Sequence, residues 1–192
     1  MVGTIGALNQ IKLKRLLAYS SINHMGYIII IFSLSDLNSL TTSFLYFFIY
    51  FVNLLTLLLI LTYIPHSNNI RLYNFFNISF YSQILSYSLF IILLSFGGFP
   101  PTLGFISKWF LLYQVIQENQ FLLLIIIVTF STISLFFYLR LINILIISNS
   151  IKFINISLMF YSIPPYFTLL IIGLLIFINI SSINYILYYI FI

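Results

Sequence analysis

An all-α integral membrane fold is what this sequence predicts: a bundle of about six transmembrane helices, one of them discontinuous near residues 97–104. Three observations predict it. Of 192 residues, 62% are hydrophobic and only 5% are charged, with a mean hydropathy of +1.19, whereas soluble domains carry roughly a quarter charged residues. The apolar residues gather into stretches near the roughly 20 needed to cross a bilayer core. The third is the segment Ser95-Phe96-Gly97-Gly98-Phe99-Pro100-Pro101-Thr102-Leu103-Gly104-Phe105-Ile106-Ser107-Lys108-Trp109, which puts glycines, prolines and a lysine into an otherwise apolar chain. No long polar stretch appears, so residues 1–192 read as a single membrane domain with no soluble one.

The elements follow in order. A first span is expected over residues 16–34, entered after Lys12, Lys14 and Arg15 and left at Ser35-Asp36-Leu37-Asn38-Ser39. A second, over 40–64, ends at the turn signal Pro65-His66-Ser67-Asn68-Asn69. Residues 65–79 form a polar connection containing Arg71, and a third span covers 80–96. The Gly/Pro segment leads into a fourth, about 101–117, that carries Lys108. Gln117-Glu118-Asn119-Gln120 is the next loop, and a long fifth span, 121–147, contains Arg140. After a loop with Lys152, Pro164 and Pro165 open a sixth span to about 180, and the last ten residues suit an interface or a partner surface. Six crossings would put Lys12, Lys14, Arg15, Arg71 and Glu118 on one side and Asp36 and Lys152 on the other. The positive-inside rule then turns the first side toward cytoplasm or an organelle's matrix.

Composition also excludes classes of function. Seven Lys and Arg against two acids give a net charge of +5, but apart from the cluster at 12–15 the charges stand singly, so no nucleic-acid patch forms. There is no cysteine, which removes disulfides, iron–sulfur clusters and thiolate metal sites, and two separated histidines form no metal motif. The N-terminal region lacks the small-residue cleavage site of a signal peptide. Ala occurs only at positions 7 and 18 while Ile, Leu, Phe, Tyr, Asn and Ser dominate, a usage that suits an AT-rich organellar genome.

Lys108 is the most informative residue. In a helix over 101–117 it lies about 12 Å from either end at about 1.5 Å per residue, and even a lenient scale charges about 2.5 to 3.5 kcal/mol for a lysine at that depth. Such a lysine should face the bundle interior or a hydrated path. Burial disfavours the charged amine, so this group can load and release a proton as neighbouring charges change. The Gly/Pro run beside it frees backbone carbonyls, tolerated at membrane depth only where protein or water satisfies them. An ion or proton site and a tight interhelical turn fit these residues equally well. Near the N-terminus the basic cluster reads as a topology anchor, whereas Tyr19, Ser20, Ser21 and His24 can line part of one helical face. That face suits either a hydrated proton relay or interhelical hydrogen bonding.

Two motifs together carry a resemblance. Lys14-Arg15-Leu16-Leu17-Ala18-Tyr19-Ser20-Ser21-Ile22-Asn23-His24-Met25-Gly26-Tyr27, followed by Gly97-Gly98-Phe99-Pro100-Pro101-Thr102-Leu103-Gly104-Phe105-Ile106-Ser107-Lys108-Trp109, resembles the antiporter-like subunits of proton-pumping NADH:quinone oxidoreductase, respiratory complex I. Lys108-Trp109 is nearest to the subunit 2 branch. Sister subunits and multisubunit cation/proton antiporters typically follow that lysine with an acid or replace it by glutamate. Tyr138-Leu139-Arg140 resembles the family's Tyr-x-Arg ending.

The resemblance implies that Lys108 is the proton-carrying lysine on the discontinuous helix of the second half-channel, and that Lys14 and His24 match polar positions of a candidate proton path. Tyr46, Tyr50 and Asn53 stand where sister subunits often place histidine or lysine, so water-mediated transfer would replace direct titration there. Arg140 is expected to be an anchor, ahead of a counter-charge or headgroup contact, and Glu118 a solvated surface residue. Family members carry a whole helical repeat before the first motif, whereas only about a dozen residues precede it here. The resemblance therefore covers the C-terminal half of the family pattern, and a split subunit with a separate N-terminal polypeptide is expected.

The implied function is a membrane subunit of complex I forming part of a proton-translocating channel. The alternatives are a subunit of a multisubunit cation/proton antiporter without redox coupling and a purely structural subunit. The chain would bind no cofactor itself, with NADH, flavin, iron–sulfur clusters and quinone on other subunits of a proton-translocating NADH:ubiquinone reductase. Expected partners are other complex I membrane subunits, the separate N-terminal half and membrane lipids, with no nucleic acid. The expected location is the mitochondrial inner membrane, with a bacterial inner membrane as runner-up.

Overall fold

A computed structural model describes residues 1–34, 36–62 and 83–150, the last stretch with side chains over 85–146, and the single residue Gly173. Six helices are described: α1 (Val2–Leu8), α2 (Leu13–Phe32), α3 (Leu37–Thr62), α4 (Gln83–Gly97), α5 (Leu103–Gln117) and α6 (Phe121–Ser150). Leu37–Thr62 and Phe121–Ile146 each supply 26 residues of mean hydropathy 2.5, long and apolar enough to cross a membrane. The expected connection with Arg71, the loop with Lys152, the sixth span and the terminal segment lie outside the described residues.

The polarity of α2 and α3 is inverted relative to a soluble helix. On α3 the buried stripe includes Ser39, Ser43, Tyr46, Tyr50, Asn53 and Thr56, while Phe44, Phe47, Phe48, Phe51 and Leu58 face outward. On α2, Ser20, Asn23, His24 and Tyr27 point inward, and Ile22, Ile29 and Phe32 point out. Hydrocarbon solvates an apolar exterior without cost and strands any polar group that cannot find a partner inside the protein. The hydroxyls of Ser39, Ser43 and Thr56 meet that demand locally, each donating to a carbonyl of the preceding turn at 2.6 to 3.1 Å. Ser20 and Ser21 do the same at 2.7 Å. Tyr19 turns instead toward α1, where Gly6 lies beneath its ring and Gly3 beneath its carbonyl.

The expected interruption is present at 98–102. α4 ends with Phe99 N–H donating to Leu94 O and Gly98 N–H to Ser95 O, a Schellman closure that needs a left-handed residue, and Gly98 supplies it at φ 79°. Pro100 and Pro101 then prevent the helix from continuing, and α5 begins after Thr102, which is extended at φ −120°, ψ 158°.

The segments expected as third and fourth crossings are two halves of one. α5 has 15 residues, about 22 Å of helix, short of a core of about 30 Å. Gly97 lies against Leu135 and Tyr138. Leu93, one turn earlier, shares a small pocket with Leu139 and Ile142, further along α6. Thus α4 runs antiparallel to α6 and reaches the break inside the bundle, from which α5 continues to the far end.

This corrects the expected sorting of loops, because Glu118 lies with Asp36 rather than opposite it. Counting each apolar run as a crossing inserted one reversal too many between them. Arg140, near the other end of α6, donates to Leu8 O at 3.3 Å, tying α6 to the carboxyl end of α1. Beyond Glu118 the α5–α6 turn closes with a second Schellman pattern, Gln120 N–H to Val115 O and Asn119 N–H to Ile116 O. Asn119, a residue type that tolerates the left-handed region, takes φ 56° there.

The Asp36–Glu118 contact sets a pH dependence. A hydrogen bond with Asp36, aided by partial loss of water and by the Asp36 charge, raises the Glu118 carboxyl above its ordinary range. The folded chain therefore holds this proton more tightly than the unfolded chain. The stabilisation it contributes is complete at acid pH and is lost as pH rises through the folded value. Thermal melting in detergent should show Glu118→Gln gaining on the parent protein as pH is raised from about 4 toward 7; a difference that stays flat across that range would refute the pairing.

Candidate proton-transfer site

His24 is held between two tyrosines. Its Nδ1 lies 3.0 Å from the Tyr46 hydroxyl and its Nε2 lies 3.3 Å from the Tyr138 hydroxyl, so α2, α3 and α6 meet at one imidazole. All three side chains are buried. The Tyr50 ring stacks on the imidazole at 5.0 Å and Phe96 approaches it at 5.6 Å. A neutral imidazole donates from one nitrogen and accepts at the other. Either Tyr46 donates and Tyr138 accepts, or the reverse, and moving one proton through the ring interchanges the two states. The triad can therefore pass a proton with little displacement of its heavy atoms.

Phe96 connects this triad to the helix break. Its ring stacks on Tyr138 at 5.8 Å and 13°, and the next residue is Gly97. The Schellman closure consumes the carbonyls of Leu94 and Ser95. The Gly97 carbonyl accepts a 2.6 Å hydrogen bond from Lys108 Nζ. The carboxyl end of a helix carries about half a negative charge, so an ammonium is favoured there. Lys108 is half-buried, and its charge acts electrostatically on the His24 ring. Its central position thus has a different origin from the midpoint of a full-length span: it lies in the second turn of a half-helix whose start is inside the bundle.

Glycines make this lodging possible. A Cβ on Gly98 would lie 2.7 Å from Lys108 Cδ and 3.0 Å from Nζ, and one on Gly104 would lie 1.6 Å from Ser95 O. The two half-helices therefore cross backbone to backbone. The crossing also caps α5: no side chain of its own serves its N-terminus, and Ser95 Oγ accepts from Gly104 N–H at 3.2 Å.

Of the three site residues expected from the sequence, His24 and Lys108 are brought to this region from different helices. Lys14 is exposed on the first turn of α2, ten residues and so about 15 Å along the axis from His24. Tyr46, Tyr50 and Asn53 all face inward, and Tyr46 is a direct partner of His24. Sequence reasoning missed Tyr138 as the second partner; its signal was a hydroxyl-bearing ring in an apolar helix, which when buried seeks a hydrogen bond. Among the described residues no group of three or more His, Asp or Glu side chains gathers to hold a metal ion.

Comparison with known proteins agrees with this architecture. Residues 1–134 match the family model described as NADH:quinone oxidoreductase/Mrp antiporter, transmembrane. The chain is 34% identical over 143 residues to the NADH-ubiquinone oxidoreductase chain 2 of Aedes aegypti, covering 73% of this chain and 39% of that one. It is 35% identical over 130 residues to the chain 2 of Anopheles albimanus, covering 66% of this chain and 71% of that one. For Metridium senile chain 2 the identity is 32%, with 76% and 37% covered. The chain thus spans about two fifths of the length of most of these relatives. A chain in the structure of respiratory complex I from Thermus thermophilus with bound aureothin shares the fold, with a TM-score of 0.77 at 22% identity over 94% of this chain and 40% of that one.

The crossing at Gly104 gives a direct test. Gly104→Ala forces backbone apart and should lower stability by about 1 to 3 kcal/mol or more. Gly26→Ala, at a helical position with nothing within 4 Å of the new methyl, should be neutral or slightly stabilising. Melting midpoints in detergent that fail to separate the two variants would contradict the close approach.

Proposed function

Because this chain belongs to the NADH:quinone oxidoreductase/Mrp antiporter family of transmembrane proteins, we propose that it forms part of an antiporter-like proton-translocating unit of respiratory complex I, with Lys108 as its proton-carrying residue. The observation that carries this reading is the 2.6 Å bond from Lys108 Nζ to the Gly97 carbonyl at the end of an interrupted helix. An ammonium there is stabilised by a helix terminus rather than by a fixed carboxylate. Its proton can leave when the potential along the bundle changes, without abandoning a permanent counter-charge in hydrocarbon.

The Tyr46–His24–Tyr138 triad supplies the neighbouring relay. Redox energy released on other subunits would act here as a change in electrostatic potential, shifting which side of the membrane exchanges a proton with Lys108. Nicotinamide, flavin, iron–sulfur and quinone chemistry belongs on those subunits. The partners are other membrane subunits of the complex, the remainder of the antiporter-like unit on whichever polypeptide carries it, and lipid around the outward phenylalanines of α3. Lys14, exposed at the end of α2, is an entry-side residue or an anchor. The relatives named as chain 2 of NADH-ubiquinone oxidoreductase favour complex I over a cation/proton antiporter without redox coupling. The low alanine content favours a mitochondrial inner membrane.

Lys108→Met tests the reading in the assembled complex. Assembly should persist, while proton translocation coupled to NADH oxidation should fall on the order of 100-fold, the low end of what positioned proton-transfer groups contribute. Normal pumping in an assembled mutant would remove Lys108 from the path. Purification in mild detergent without flavin and iron–sulfur proteins would favour the antiporter instead.

A further inference from the structure

Among the described residues, the break between α4 and α5 is open on one side. Phe99 is 43% exposed, and Pro100 and Pro101 are exposed as well. The backbone bonds of the break run to the carbonyls of Leu94, Ser95, Phe99 and Thr102, and none reaches the Pro100 or Pro101 carbonyl. Non-helical backbone at membrane depth is tolerated only where protein buries it or where it lines a water-filled cavity. Lipid alone is therefore the wrong cover for this spot.

A ridge on α5 climbs from the same place. Positions 101, 105, 109, 113 and 117 follow an i+4 row, the line along which helix side chains form ridges. The Phe105 and Trp109 rings meet at 5.9 Å, and Gln117 Nε2 donates to the Tyr113 hydroxyl at 2.9 Å. Trp109 is 59% exposed and Tyr113 52%. At about 1.5 Å per residue, Trp109 lies about 12 Å short of the end of α5 at Gln117, deeper than the headgroup belt where membrane tryptophans gather. Its indole N–H meets no acceptor among the described residues, and hydrocarbon offers none. The outward Phe44, Phe47, Phe48 and Phe51 of α3 carry no such group and suit lipid.

We propose that the break at Phe99–Pro101 and the Trp109 ridge form one docking surface for a transmembrane helix of a neighbouring polypeptide, which presents hydroxyl or amide side chains to the indole N–H and the proline carbonyls. The inference rests on the reading of this chain as one subunit of a larger membrane assembly and not on the role of Lys108. An i+4 ridge fits the groove of a second helix. Hydroxyl and amide groups both donate and accept, and they are the side chains that bond across membrane helices. A water-filled cavity suits the surface less, because Phe, Pro and Trp line it. This chain covers 39% of the Aedes aegypti chain and 40% of the Thermus thermophilus chain, so such a unit contains more membrane protein than these residues supply.

The test uses the assembled complex that contains this chain. A high-resolution structure should show a helix of another polypeptide packed over Pro100 and Pro101, with an acceptor within hydrogen-bond distance of Trp109 Nε1. Acyl chains, a water-filled cavity or residues 151–192 of this chain in that position would overturn the proposal. Trp109→Ala should lower the fraction of this chain retained in the complex after a mild detergent challenge, read on native gels, on the order of tenfold, as for a buried aromatic anchor. Trp109→Phe, which keeps a ring and loses the donor, should lower it less, and Phe47→Ala on the lipid face of α3 should leave it unchanged. Equal retention of Trp109→Ala and Phe47→Ala would refute the surface. The Lys108→Met measurement separates the two readings: impaired pumping in that variant with lipid over Trp109 removes the docking surface and keeps the proposed function, whereas normal pumping with a partner helix over Trp109 does the reverse.

Discussion

The Gly97 carbonyl and the Lys108 ammonium answer a single constraint, which is that a helix ending inside a membrane exposes acceptors that lipid cannot satisfy. The Schellman closure at Gly98 satisfies the carbonyls of Leu94 and Ser95, and the lysine satisfies Gly97. The opposite end of the break has the complementary problem of unsatisfied donors, and the Ser95 hydroxyl accepts one of them. Each half-helix therefore caps the other. The surrounding packing follows from this exchange, since α3 and α6 must cover a junction whose polar groups would otherwise meet hydrocarbon.

The inward polarity of α2 and α3 has the same physical origin. Most hydroxyls on these helices donate to their own backbone, which leaves them only acceptor lone pairs for other partners. Among the described residues, the groups that remain available between helices include the His24 ring, the buried tyrosine hydroxyls and the Asn23 and Asn53 amides. Sequence alone cannot separate the two sets, because a serine bonded to its own turn and a serine lining a channel look alike in a motif. Of the four residues expected to share a face near the N-terminus, Ser20 and His24 are buried in the core, Ser21 donates to Ala18 O, and Tyr19 packs over α1.

Legibility followed the length scale of each signal. Hydropathy identified α3 and α6 to within a few residues, because those helices are long and apolar. It did not find α1, whose seven residues are too few to carry a period. It misread α4 and α5, because apolar character reports that a segment lies in the membrane and not how deep it goes. The Gly/Pro cluster carried the missing information as a break, and depth came only from contacts such as Phe96 on His24 and Tyr138. The loop assignment of Glu118 failed for the same reason, as its side depends on how many reversals precede it.

By itself the sequence determined that this chain lives in a membrane and that one of its helices is interrupted near residues 97–104, and it put forward Lys108, Lys14 and His24 as candidate groups. Those conclusions rest on local chemistry: transfer free energies, the φ range open to glycine, and the cost of a charge in hydrocarbon. The tertiary structure decided that the two half-helices make one crossing, that His24 is shared between Tyr46 and Tyr138, and that Asn53 faces a cavity beside Ser107. The histidine's two partners stand 22 and 114 positions from it on the chain, and only packing can bring such partners within hydrogen-bond distance.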